Sequence, residues 1–462
     1  MTARARLVVA TLACLGGGCR DYARFDRTDD LAVVVADLGP AADLAGTHLD
    51  ALSSHDAAAI DAGGCPSVPD PPDTTLPFPP IATELETALL DGALPPKRIV
   101  AGHFTDPQQL DVVVLAPGAA NAAELALYRV PAAGGALTLL AGGKLGYCAT
   151  DMAAGHVQSG DTLDWIVLGC DCGVFPAELC MLRTVDWSGS PTPMLPAIRD
   201  TMGVSARLEA FTLGRLDGDD LDDLAYAHLT DSVVEVTRVL APADGRFSQQ
   251  GDEGLFVSAP QASALVIGDF NAQVDAYPDI AVLDASSMTP TLQVVLGTAT
   301  GMLVLAPQGP TLPMGLVTGM AAGDLTGDKR TDLVLTTVAS DSAILLSQSS
   351  AMGSFDVGTL PTGGDSFSPA LVDWNHDGAL DLFFWRQGTG NGNNLATVYP
   401  VLLRNLGNGY MPVQGPSTSQ RTSVVVNPGY MLAPDVVARD VGCTPELFFV
   451  DGSQQGASVF TR

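Results

Sequence analysis

The chain has 462 residues, 47% of them hydrophobic and only 16% charged, with 49 glycines and 32 prolines. That is ample apolar material for a core interrupted by frequent turns, so the chain reads as globular and turn-rich. Its formal net charge of −30, from 52 acidic against 22 basic residues, sets up a field that repels nucleic acid and anionic lipid headgroups and leaves cations as the fitting partners.

The first element is an export signal. Arg4 and Arg6 precede an apolar run from Leu7 to Leu15, followed by Gly16, Gly17, Gly18 and Cys19. The run is too short to span a bilayer and has the layout of a signal peptide. The stretch from Leu15 to Cys19 resembles a bacterial lipobox, in which the cysteine is lipidated and becomes the mature N-terminus, although Gly16 stands where that motif carries an aliphatic residue. Residues 1–19 are therefore expected to send the chain to the cell envelope, as an outer-membrane lipoprotein held through Cys19 or as a secreted protein. No later run of about 18 uninterrupted apolar residues offers a membrane span.

Residues 20–73 are rich in Asp, Ala and Pro, lack a sustained period and read as a flexible tether. Within them Leu31 to Leu38 (LAVVVADL) could form a local strand or helix. Six cysteines remain beyond the signal: Cys65, Cys148, Cys170, Cys172, Cys180 and Cys443. An even number in an exported chain favours disulfides, and the Cys170-Asp-Cys172 spacing lacks the usual geometry of a zinc site.

From residue 98 a unit recurs: a short apolar strand ending near Gly or Ala, a polar loop, an acid that opens a second apolar run, and then a third run. The loops begin at His103, His156, Arg215, Asp269, Asp324, Asp373 and, in degenerate form, Asp440, at spacings of 53, 59, 54, 55, 49 and 67 residues. Turn tips such as TATGML and SAMGSF place a glycine just before a fourth apolar start. A period near 50 residues with four strands per unit is that of a β-propeller; a chain of immunoglobulin-like sandwiches would need about 100 residues per unit. The expected fold is all-β: residues 74–462 form a seven-bladed propeller of four-stranded antiparallel blades. Its last unit runs out of chain after three strands, so the ring is expected to close by sharing that blade with a strand from 74–90, and a Cys65–Cys443 disulfide could lock the closure.

The units resemble FG-GAP (VCBS-type) repeats, the kind that build the integrin α-subunit propeller. The resemblance covers roughly residues 98–462 and is most specific from Asp324 to Leu333 and from Asp373 to Leu382.

The loops carry the chemistry. Asp373, Asn375, Asp377 and Asp381 fall at the first, third, fifth and ninth positions, and the carbonyl of Ala379 can add another oxygen. Calcium takes about six to eight oxygens at about 2.3–2.6 Å, so this set suits Ca2+ better than the smaller, more hydrated Mg2+. Gly378 follows the fifth position, where a left-handed residue is useful. An EF-hand would need a Glu at the twelfth position, which is Phe384. Asp324, Thr326, Asp328 and Asp332 repeat the scheme. Asp269, Asn271, Asp275 and Asp279 do so with an insertion of two residues. Asp217, Asp219 and Asp223 match in the third loop, where Arg215 replaces the first acid and either a metal or its guanidinium supplies the positive charge. The first two loops are short of carboxylates, and His103 and His156, at the first position, read as histidines bonded within their own loops.

Gly364-Asp365-Ser366 lacks the chain position and partner motif of the GDS esterases, and Gly142-Gly143-Lys144 lacks the hydroxyl of a phosphate-binding loop. The resulting expectation is a calcium-binding, non-catalytic, adhesion-like module that meets a protein or glycan ligand at the cell surface and touches the membrane only through its lipid. The alternative is a secreted propeller enzyme acting on carbohydrate or phosphoester substrates.

Overall fold

The structure is a computed structural model that describes residues 32–34 and, with interruptions between strands, 98–461; the side chains of 170–200, 388–400 and 406–462 lie outside the description. Among the described residues every regular element is a β-strand. The strands pair in sequence order into separate antiparallel sheets. The first holds Arg98–Asp106, Gln109–Ala116, Glu124–Arg129 and Thr138–Lys144, and the second Asp151–Gly155, Trp165–Gly169, Ala177–Arg183 and Ile198–Val204. The third holds Arg207–Gly214, Asp223–Thr230, Val233–Val239 and Glu253–Val257, and the fourth Ala264–Gly268, Asp279–Asp284, Thr291–Leu296 and Val304–Leu305.

The later sheets depart from a uniform four strands. Sheet five (Leu316–Gly323, Asp332–Val338, Ser342–Gln348, Phe355–Pro361) gains Ala32–Val34 as a parallel strand against residues 319–321. That strand comes from the segment read as tether. Sheet six (Ser366–Val372, Asp381–Gln387, Ala396–Asn405, Tyr410–Pro412) has Val424–Val426 paired to its third strand. The last sheet has three strands, Val436–Asp440, Pro445–Asp451 and Gly456–Thr461. The expectation of seven four-stranded blades is corrected accordingly: the terminal unit is shorter, and two sheets recruit extra strands. Residues 74–90, the expected donor for closure, lie outside the described residues, as does Cys65; Cys148 is disulfide-bonded, and every other cysteine has its side chain outside the description.

The first strand of each sheet neighbours the first strand of the next, and the first strand of the last sheet lies beside Arg98–Asp106. The core sits between the faces of successive sheets. One cluster joins Val266, Phe270 and Leu283 of sheet four to Met320, Leu333 and Leu335 of sheet five; another joins Ala321 and Val334 to Phe384 and Trp385 of sheet six. A second strand covered on both faces has no solvent side, which is why Asp332–Thr337 and Asp279–Asp284 are buried at every position instead of alternating. Radially arranged sheets packed face to face make this an all-β propeller.

Successive blades are also joined by a polar clasp. The Asp164 carboxylate of the second sheet accepts the His103 N–H of the first at 2.7 Å, while the Asp164 N–H donates to the His103 carbonyl at 2.9 Å. Asp222 repeats both bonds with His156, and Thr331 repeats them with Asp269. Each clasp needs a small residue before its acceptor. A Cβ added to Gly102, Gly155 or Gly268 would lie within 2.8 Å of the Asp164, Asp222 or Thr331 side chain.

Burial, opposed by the His103 N–H, pushes the Asp164 carboxyl up to about 7, with the Asp222 and Asp161 charges adding to the rise. The folded state therefore prefers protonated Asp164. Its contribution to stability is complete below the unfolded value near 3.8 and is lost as pH rises through about 7. Asp164→Asn keeps an acceptor for His103, so its melting temperature in chelator is expected to fall less than that of the parent between pH 4.5 and 8. Equal slopes would contradict this assignment.

Candidate metal-binding loops

Each loop leaves the end of a first strand and returns at the start of the second, where the register sets an acid opposite the end of the first strand. Gly102 faces Asp111, Gly214 faces Asp223, Gly268 faces Asp279, Gly323 faces Asp332 and Val372 faces Asp381. These five carboxylates are buried. Three of them hold two separate pieces of chain. Asp381 accepts the Trp374 N–H at 3.1 Å and the Asn405 N–H at 2.7 Å; Asp223 accepts those of Leu216 and Ala241; Asp279 accepts those of Phe270 and Gly297. Asp332 accepts the N–H groups of Leu325 and Thr326. The ninth-position acid is thus a bracket from the loop to the end of the third strand, a role that counting loop positions alone did not reveal.

The first-position acids act inside the loop. Asp324 accepts N–H groups from Gly327, Asp328 and Lys329, and Asp373 accepts those of Asp377 and Gly378. Fifth-position Asp377 takes the Ala379 N–H at 3.0 Å, and Asp328 takes both the N–H and the guanidinium of Arg330. In the third loop Asp217 accepts the Asp219 N–H and Asp219 that of Leu221. Arg215 approaches exposed Asp220 at 3.7 Å. In the fourth loop Asp269 accepts the Asn271 N–H, and the Asn271 amide meets Asp279 at 3.3 Å. Asp275 and Asn375 lie outside the described residues.

The first two loops differ. His103 and His156 are bonded through their backbone to acids of the following blade, not within their own loops as the sequence suggested. In the second sheet the residue opposite Gly155 is Trp165, so the bracketing acid is replaced by an indole and Asp164, one place earlier, serves the neighbouring blade.

The acids are crowded. Burial raises Asp381 well above the usual carboxylate range, and the Asp377 and Asp373 charges add to the rise. Burial raises Asp373 too, with Asp377 contributing and the two loop N–H bonds opposing. Burial, with Asp217 and Asp219 nearby, pushes Asp223 up to about 8. A hard cation would reverse these shifts. Asn271 Oδ1 is buried without a hydrogen-bond partner among the described residues, as an oxygen reserved for a cation would be. In the present side-chain arrangement, no group of three or more His, Cys, Asp or Glu among the described residues is gathered closely enough to hold a metal. The donor chemistry fits calcium, and closing the loops round an ion would require the carboxylates to turn from N–H groups toward it.

Two left-handed residues shape each of the sharper loops, at the fourth and sixth positions. Loop five has Gly327 (φ 75°) and Lys329 (φ 66°); loop six has His376 (φ 57°) and Gly378 (φ 85°). Each loop spends its glycine at a different one of the two places. Lys329 carries a Cβ where glycine would be unstrained, so Lys329→Gly is expected to stabilise the metal-free protein by about 0.5–1 kcal/mol in denaturant unfolding. A loss of stability would show that the lysine side chain outweighs the strain.

Residues 324–384 match the FG-GAP-like repeat family. No curated protein matches the chain significantly. Among solved structures, BBS1N in complex with ARL6DN, soaked with lead, has a TM-score of 0.48 at 9% identity, covering 84% of this chain and 97% of that one. A candidate 6-phosphogluconolactonase from Bacteroides uniformis has a TM-score of 0.40 at 9% identity, covering 75% and 94%. Likeness at this level carries nothing about ligand or activity. The blade arrangement is that of an all-β propeller, and residues 324–384 within it match the FG-GAP-like repeat family.

Proposed function

We propose that this propeller is a calcium-stabilised, non-catalytic binding module, exported and held at the cell envelope by a lipid on Cys19, that meets a protein or glycan at the surface. The observation that carries the calcium part is the crowding of Asp373, Asp377 and Asp381, where burial and the neighbouring Asp377 charge oppose ionisation of Asp373 and Asp381 in the absence of a cation. The ions would be held by Asp373, Asp377 and Asp381 with Asn375 and the Ala379 carbonyl, by Asp324, Thr326, Asp328 and Asp332, by Asp269, Asn271, Asp275 and Asp279, and in the third loop by Asp217, Asp219 and Asp223. The Asp269–Thr331 clasp ties the fourth of these loops to the fifth blade, so rigid loops would present neighbouring surfaces to a ligand.

The ring is proposed to have seven blades, the last completed by a strand from 74–90. In support, among the described residues no strand pairs with the outer side of Gly456–Thr461, and an open edge of that kind is normally covered. No described helix is long and apolar enough to cross a membrane.

Calcium in hundredfold excess over its dissociation constant is expected to add roughly 2.7 kcal/mol for one site. Melting with calcium and with chelator measures this, and an unchanged midpoint would end the calcium reading. Asp377→Ala is expected to remove one ion from the calorimetric stoichiometry. Cys19→Ser is expected to move the chain from the membrane fraction to the soluble fraction or leave it unprocessed; continued partition with membranes would refute the lipid anchor.

A further inference from the structure

Two blades place an arginine directly beside the bracketing acid. In the first sheet Asp111 pairs in register with Arg129 at the end of the third strand. Arg129 Nη2 donates to Thr105 Oγ1 at 3.0 Å, and its Nε lies 3.6 Å from Asp111 Oδ1. Thr105 and Asp111 are the third and ninth loop positions, so the guanidinium sits against the oxygens that in a metal loop would face the ion. This is possible because Val130, the next residue, gives its N–H to the Leu110 carbonyl and not to Asp111, whereas Ala241, Gly297 and Asn405 give theirs to the acid in their blades.

In the sixth sheet Leu382 pairs with Leu403, which puts Arg404 opposite Asp381, the place Arg129 holds opposite Asp111. The same place is Leu240 in the third sheet, Leu296 in the fourth and Ser347 in the fifth. Arg404 is mostly buried, and its Nη2 lies 4.0 Å from Asp377 Oδ2, the fifth-position carboxylate. The first loop has one described acid at its donor positions and a guanidinium that balances it. The sixth has three acids and a guanidinium that reaches one of them.

We propose that Arg404 is an internal counter-ion of the 373–381 loop that a divalent cation must displace, and that Arg129 is its permanent counterpart in the first blade. The exchange is a competition of two positive groups for Asp377: when the metal enters, the guanidinium leaves that carboxylate, and when the metal leaves, it returns. Arg404 thereby lowers the calcium affinity of the sixth loop below what its own donor set would give. This inference rests on the calcium reading above.

The test is calorimetric titration of calcium chloride into the full-length chain, parent against Arg404→Gln, with Arg404→Met as a second variant that keeps the aliphatic stem. Losing a pair of this kind is expected to tighten one site by up to about fivefold and leave the others unchanged. Arg129→Gln is expected to lower the melting temperature equally with calcium and with chelator, without altering stoichiometry. If the parent binds calcium and both Arg404 variants bind it no tighter, the counter-ion proposal is overturned and the calcium reading stands. If neither parent nor variants bind, both are overturned. Binding by the variants alone would support the proposal in its strongest form, with the guanidinium excluding the metal.

Discussion

The buried carboxylate that opens the second strand governs the rest of this structure. Asp223, Asp279 and Asp381 lose nearly all contact with water, and each recovers part of that cost from backbone N–H groups of its own loop and of a residue at the end of the third strand or just beyond it. Hydrogen bonds to a charged acceptor are stronger than neutral ones, and a buried acceptor left unpaired is expensive. The loop, the strand it leads into and the strand after that are therefore fixed relative to one another by one side chain. A candidate ion site in such a loop inherits its shape from a bracket that is in place before any ion arrives.

Between blades the task passes to the neighbouring position. Successive side chains on a strand point to opposite faces, so of the adjacent acids Asp222 and Asp223 one serves its own loop and the other reaches the preceding blade. Thr331 and Asp332 divide the work in the same way, with a hydroxyl in place of the first carboxylate. In the sixth blade the corresponding residue is Leu380, which packs over Gly323. The polar contact is exchanged for an apolar one, and the requirement for a small residue on the other side is unchanged.

Much of this was legible in the chain. The period near 50 residues and the Gly-loop-Asp pattern located the strands and the loops, because both depend on local turn geometry and on burial of short apolar runs. The roles of individual acids were less legible, since loop position does not say whether an oxygen faces an ion or an N–H group. The loop pattern places His103 within its own loop, whereas its backbone N–H bonds Asp164, 61 residues away. For His156 a signal was available: the paired acids Asp222 and Asp223 at a strand start cannot both point into one loop. Trp165 in place of the bracketing acid marks the second unit as divergent, which the spacing alone concealed. The shortened last sheet and the strand from residues 32–34 depend on contacts far apart in the chain, which a repeat pattern does not encode.

The clasp also bears on how such a ring could be assembled from duplicated pieces. A copied segment that began and ended at blade boundaries would carry half of two junctions and complete neither. A segment running from the first loop position of one blade into the second strand of the next carries a whole junction, together with the glycine that precedes it if it starts one residue earlier. The matched repeat, residues 324–384, has almost those limits: it starts at the loop of the fifth blade, one residue after Gly323, and ends inside the second strand of the sixth, beyond Leu380. The heritable module of this architecture is then the seam between two blades, and the visible blade is what two consecutive seams enclose.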